Sequence, residues 1–369
     1  MSKETVTKNE PLLRMSKRDS ISLPKAWIIR LVAVAMSLIV CALVIVAITG
    51  QNPVEVYIGI VDGAIGSKRR IWVTIRETMV LLCIAIGLTP AFKMKFWNIG
   101  AEGQILMGGV ATAALMIYFG DKISNGILLP LIFVTSAVAG MLWGVLPAIF
   151  KAHFNTNETL FTLMLNYVAM QIVTFCIVFW ENPVGSNTVG VINSATRKGW
   201  FPDVFGNSYG LNVILVLGLT VVMYIYMKYS KQGYEIAVVG ESQNTARYAG
   251  INVKKVIIRT MLISGGICGA AGALIVSGAS HTISTSTAGG RGFTAIIVAW
   301  MSKFNPFAMI IVSAFLVFMQ QGSIQIASQF GLNESASDII TGIVLFFLIG
   351  CEFFINYKLD LRKKGKEGK

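Results

Sequence analysis

AWIIRLVAVAMSLIVCALVIVAIT, running from Ala26 to Thr49, decides the fold: it holds 24 residues and one charge, Arg30, near its start. A helix needs about 20 apolar residues to cross the hydrocarbon core of a bilayer. Backbone groups left unpaired in lipid cost several kcal/mol each, so a segment of this kind spans as a helix. Comparable blocks recur near 72–92, 101–119, 127–150, 159–180, 210–228, 255–279, 290–303, 307–328 and 336–356, making ten in all, of which the eighth, 290–303, is short. Charged residues make up only 13 % of the chain against 54 % hydrophobic, whereas soluble domains carry about a quarter charged. The expected fold is an all-α integral membrane protein of about ten transmembrane helices, with broken or re-entrant segments where glycines interrupt the apolar runs.

The net charge of +13 is concentrated at the ends: six Lys and Arg lie in residues 1–25 and six from Lys358 to Lys369. Such tails follow the positive-inside rule rather than a nucleic-acid footprint. The chain therefore divides into a cytoplasmic basic tail (1–25), a transmembrane domain (26–356) and a second cytoplasmic basic tail (357–369). Lys93, Lys95, Lys151, Lys303 and the basic residues of the 229–255 loop fall on the side of the tails. The long, nearly charge-balanced connection 181–209 falls on the other. Lys68, Arg69 and Arg70 run against this pattern, because they sit in the outer segment 50–71. About 25 polar residues precede the first span, which is too long for a signal core and lacks a cleavage site. The expected location is the plasma membrane, multi-pass, with both ends cytoplasmic.

Several chemistries find no support. The five cysteines stand singly within apolar blocks, suggesting neither disulfides nor a zinc site. The two histidines, His153 and His281, lack metalloprotease spacing. There is no G-x-x-x-x-G-K-[ST] phosphate loop and no nucleophile–base constellation, so ATP hydrolysis and catalysis are not expected of this chain, and no metal or cofactor is called for. Gly265 and Gly269, with Gly266 and Gly272 beside them, have the spacing of close helix packing. Gly100, Gly103, Gly108 and Gly109, and separately Gly289, Gly290 and Gly292, mark the expected breaks; a plain loop fits the second group equally.

Three constellations carry the functional reading. In FWNIGAEGQ, Phe96 to Gln104, a helix would place Asn98 and Glu102 four apart on one face. A carboxylate within a span costs about 2.5–3.5 kcal/mol, so it faces the bundle interior or sits solvated near the boundary. In NETLFTLMLNY, Asn157 to Tyr167, the preceding Asn155 and Thr156 and Asn157 itself offer capping oxygens, and Glu158 complements the helix dipole. Thr162 and Asn166 then follow at intervals of four, a polar stripe climbing into the membrane. Lining a path and bonding to a neighbouring helix both fit Asn166. The third is GYEIAVVGESQNTARYAGINV, Gly233 to Val253. Here Ser242 to Tyr248 reads as a short helix with little bulk at Ala246 and Ala249, and Gly250 is placed to end it. By itself this segment reads as a solvated loop.

Together, NIGAEGQ, NETLFTLMLNY, ARYAGINV and GRGFTAIIVAW (Gly290 to Trp300) resemble the permeases of ABC importers for nucleosides and simple sugars, relatives of the ribose and branched-chain amino-acid permeases. The resemblance covers residues 72 to 350 or so, with Trp97, Thr159 and Phe161 departing from the usual pattern. It implies a translocation pathway drawing on Asn98, Glu102, Gln104, Thr162 and Asn166. It also implies a coupling segment in which Ser242, Thr245, Ala246, Ala249 and Gly250 meet a cytoplasmic ATPase. The long N-terminal tail resembles the larger of two paired permeases. The implied partners are thus that ATPase, a second homologous permease and an extracellular substrate-binding lipoprotein of the basic-membrane-protein type. Scarce charge within the spans suits a small neutral substrate. An ion-coupled secondary transporter using Glu102 as its proton carrier is the alternative that the residues permit, and a non-transporting membrane scaffold is a third.

Overall fold

The computed structural model describes residues 13–18, 21–50, 52–204, 206–331 and 334–361. The remaining parts of the two basic tails lie outside them. The chain forms two units, residues 64–318 and a smaller one made from 1–63 with 319–369.

The smaller unit pairs the two ends of the chain. Helix α1 (Leu23–Thr49) begins with Pro24, whose missing N–H costs nothing in a first turn, and ends at Gly50 with φ +66°. Helix α2 (Pro53–Ile65) follows, in the segment expected to be a connection. The end of α12 (Pro306–Gln329) and α13 (Glu334–Asn356) complete the unit. Ala26, Cys351 and Ile355 form a small core between α1 and α13, with Ile29 and Ala33 packed against it, and Arg30 donates to Glu352 at 2.8 Å. Strand β1 (Leu13–Lys17) pairs antiparallel with β2 (Tyr357–Leu361), so these two segments meet at one end of the α1–α13 pair.

The larger unit contains α3 (Lys68–Lys93), α4 (Ala101–Phe119), α5 (Asn125–Phe154), α6 (Glu158–Trp180), α7 (Gly210–Tyr229), α8 (Lys231–Glu241), α9 (Gln243–Tyr248), α10 (Val253–Ile275) and α11 (Arg291–Met301). Asn157 caps α6 by accepting from Leu160 N at 3.1 Å. Glu158 in the first turn takes an ion pair from Lys151 at 3.0 Å. Asn252 caps α10 in the same way. Helix α10 continues as one π-helical turn, Val276–Ser280, and is the central helix, packed against α3, α4 and α5. A side chain at Gly269 would meet the carbonyl of Ser136 and, at 2.8 Å, the Cα of Gly140. Only glycine permits that approach of α10 to α5.

Among the described residues nine helices are long and apolar enough to cross a membrane. The expected eighth span is different. α11 has only 11 residues, and the chain reaches it through the irregular segment 281–290. At its start that segment lies with the 181–209 connection, where Ile192 N donates to His281 O and Trp200 stacks on the His281 ring at 3.7 Å. At the far end of α11, Trp300 stacks on Trp97 at 5.7 Å beside Phe92, near the end of α3. The passage from 281 to 301 is thus part loop and part short helix, in the region where the Gly289, Gly290 and Gly292 cluster allowed either a broken helix or a plain loop.

Candidate functional site

A second break faces the first. After α3 ends at Lys93, residues 94–100 run back along the bundle as irregular backbone, and α4 begins only at Ala101. Its first turn lies beside Asn166, eight residues or about 12 Å along α6 from Glu158. Free N–H groups of a helix start are costly away from water, and side chains here supply the missing acceptors. Asn166 Oδ1 accepts from Gly103 N and its Nδ2 donates to Ile99 O, both at 2.9 Å. Thr162 Oγ1 accepts from Ile99 N at 3.2 Å. Asn98 Oδ1 accepts from Gly100 N at 3.1 Å and from Gln104 Nε2 at 3.2 Å, while its Nδ2 reaches Ser264 of α10 at 3.3 Å.

All five residues expected on the pathway therefore come together, and all are buried. One premise needs correction. Asn98 and Glu102 do not share a helix face, because Asn98 precedes the helix and turns toward Gln104 and Ser264. Glu102 turns instead toward α11, where Oε1 accepts from Gly292 N at 2.8 Å. The N-termini of two short or late-starting helices thus converge on one carboxylate. Each such end carries roughly half a positive elementary charge, so the pair together offset the single negative charge.

Sequence reasoning missed the clamp that holds this junction. Glu77, on α3, accepts from Arg291 Nη2 at 2.8 Å and from its neighbour Arg76. Arg291 Nη1 also reaches the carbonyls of Thr287 and Ala288 at 3.3 Å. The guanidinium therefore ties the 281–290 segment, α11 and α3 into one node. The usable signal was a carboxylate in a span together with an arginine opening a short apolar segment.

Beside the junction lies a cavity of about 330 Å³ bordered by Glu102, Asn166, Tyr167, Ser286, Gly290 and Phe293. Tyr167 and Phe293 are about half exposed, so it opens at the face of the unit. Its wall is mainly apolar and aromatic, with Leu106, Leu163 and Met170 beside Tyr167 and Phe293, and Thr285, Ser286 and Glu102 add the polar groups, a mix that recognises an uncharged solute.

At the end of the unit where α3 finishes, Ser242 Oγ caps α9 by accepting from Thr245 N at 3.2 Å, and Gly250 follows with φ +76°. The short helix over Ser242 to Tyr248 was expected. Ala246 is fully buried and packs within its own chain, so it cannot present its side chain to a partner as expected; Thr245, Ala249 and Gly250 are exposed. Tyr248, which went unnoticed in the sequence, is 94 % exposed. Helix α8 is fixed on α10 by the Arg259–Glu235 ion pair at 2.9 Å and lies against the Lys93 carbonyl at Gly240. α10 in turn carries the Ser264 that holds Asn98.

The model of one transporter family, described as "Branched-chain amino acid transport system / permease component", matches residues 71–349. The chain is 29 % identical to the guanosine ABC transporter permease protein NupP of Bacillus subtilis, over 92 % of this chain and 97 % of that one. It is 28 % identical to the nucleoside ABC transporter permease protein NupB of Lactococcus lactis, over 91 % and 94 %. The glucose ABC transporter permease protein TsgB13 of Haloferax volcanii is 24 % identical, over 95 % and 94 %. No solved structure matches. With its broken helices meeting inside an all-α bundle, and a family match over most of its length, the chain belongs to the permease components of branched-chain amino acid transport systems and their ABC-transporter relatives.

Proposed function

We propose that this chain is one of two membrane-spanning subunits of an ABC importer in the plasma membrane, and that it carries a nucleoside, or a simple sugar, past the junction of α4 and α11. The observation that carries the reading is the convergence of two helix N-termini on Glu102 beside a cavity lined by apolar and aromatic side chains with a few hydroxyls. The offset charges there suit a neutral solute, and the half-exposed Tyr167 and Phe293 suit a planar one or a sugar face. The names of the relatives favour nucleoside over sugar. A second permease closes the open side of the cavity, and a lipoprotein receptor delivers the solute at the 181–209 end. The ATPase docks on Thr245, Tyr248, Ala249 and Gly250, with Ser242 and the buried Ala246 shaping the α9 platform. Motion reaches the pathway through α8, α10 and the Ser264–Asn98 contact.

Uptake of labelled guanosine by cells expressing the whole system tests this. Glu102→Gln keeps an oxygen for Gly292 N while removing the charge. An ATP-driven pathway then retains most of its uptake and ignores a protonophore at constant ATP. Loss of concentrative uptake under both treatments would instead favour an ion-coupled carrier with Glu102 as its proton site. Ala249→Arg is expected to abolish uptake and co-purification of the ATPase while leaving membrane levels unchanged; normal uptake and co-purification would remove the docking assignment.

A further inference from the structure

The family match begins at residue 71, and the transport reading gives no task to α1, α13 and the tail ribbon that joins them. Between α1 and α13 runs a groove of about 590 Å³, bordered by Ile28, Val32 and Met36 on one side and by Phe346, Gly350 and Phe354 on the other. Both triplets are spaced by four, so each helix contributes one continuous face about 12 Å long. Arg18 closes one end of the groove. Its backbone N donates to Asn356 O at 2.9 Å, which fixes it where α1 begins and α13 ends. Trp27 and Tyr357, at the same level, are both exposed, as amphipathic rings are at the headgroup level of a bilayer. The neighbouring Arg30 is already paired with Glu352, whereas the buried Nε of Arg18 has no hydrogen-bond partner among the described residues.

We propose that this groove binds one anionic phospholipid, with its phosphate on Arg18 and an acyl chain laid along α1 and α13. A guanidinium suits the task because its fork of donors matches two phosphate oxygens. The tails supply the longer-range attraction, with six Lys and Arg in residues 1–25 and six more from Lys358 onward. Basic segments flanking a span gather acidic lipid in just this way. The groove is roomy as well as apolar, since nothing lies within 4 Å of where a side chain at Gly350 would begin.

The test uses the purified full-length chain in detergent, with bound lipids counted by native mass spectrometry and stability followed by thermal melting. Phosphatidylglycerol is expected to remain bound, one per chain, under conditions that strip phosphatidylcholine, and to raise the melting temperature more. Arg18→Gln should cut the retained phosphatidylglycerol at least fivefold without altering phosphatidylcholine. Gly350→Leu, which fills open space rather than displacing neighbours, should remove the retained lipid altogether. Inorganic phosphate should neither compete nor stabilise. Equal retention of the two lipids, unchanged retention in Arg18→Gln, or competition by phosphate alone would overturn the proposal. None of these outcomes bears on transport.

Discussion

Glu77 shows what a single charge does inside this bundle. It is buried on α3 and serves two arginines, of which Arg291 comes from a segment more than 200 positions away. Removing one member of a buried ion pair leaves the other uncompensated, at a cost of about 3–5 kcal/mol. Glu77→Gln and Arg291→Gln are each expected to lower the melting temperature in detergent and reduce uptake severely. The double Gln variant should be less unstable than the sum of the two, because Arg291 and Glu77 no longer strand each other, although Arg76 still lacks its carboxylate; a double variant as unstable as the sum would break the pairing argument. His281 belongs to the same scale but lies just beyond the α10 span. Burial, with Arg76 and Arg197 nearby, pushes its pKa down to about 4 from the usual 6.5. The folded protein therefore holds the neutral ring where the unfolded chain takes up a proton. That stability is complete above pH 6.5 and is lost as pH falls toward 4. Melting curves should show the wild-type protein losing its advantage over His281→Gln across that range, and a constant difference between them would refute it.

Among the elements, α10 is the one the others are built on, and its glycines permit it. Gly269 lies against Gly140 of α5 with no room for a side chain. Gly269→Leu should therefore abolish the folded, detergent-stable protein, whereas Gly218→Leu on α7, where open space surrounds the position, should be harmless. Equal yields of the two by size-exclusion chromatography would count against the packing role. The G-x-x-x-G spacing made this seam readable in the sequence, because close packing needs small residues at fixed intervals. The polar cluster was readable for a related reason: Glu102 and Asn166 are expensive inside a span unless they face partners. The same reasoning failed at Asn98, since spacing by four implies a shared face only if the helix has begun, and α4 begins three residues later. Glu77 and Arg291 escaped notice because each stands near an apparent boundary, where a charge looks solvated. Their partnership crosses from α3 to α11, a distance that no local pattern encodes. Helix α2 was missed because its 13 residues are too few to register as a span.

For the whole molecule, the pairing of β1 with β2 puts these two strands on one side of the membrane, which calls for an even number of crossings between them. We propose ten crossings, the nine long helices among the described residues and a passage through the short α11. We propose, from the charge distribution, that the tail side is cytoplasmic. Single cysteines introduced at Thr245 and Asn187 should thus be labelled by an impermeant maleimide from opposite sides, position 187 in intact cells and position 245 only after permeabilisation. Labelling of position 245 from outside would invert the topology. Four of the five native cysteines are buried, which keeps the background low.

The α1–α13 pairing also has a consequence in time. During synthesis α1 reaches the membrane about 300 residues ahead of α13, and chains grow at about 5–20 residues per second. The first helix therefore waits on the order of 15–60 s with no permanent neighbour on its α13 face, and the ribbon closes only once the ribosome has released the carboxyl terminus. Until then the Arg30 guanidinium lacks its carboxylate. A nascent chain cut short before Glu352 never acquires one, which leaves quality-control proteases a chemical means of telling an unfinished permease from a finished one.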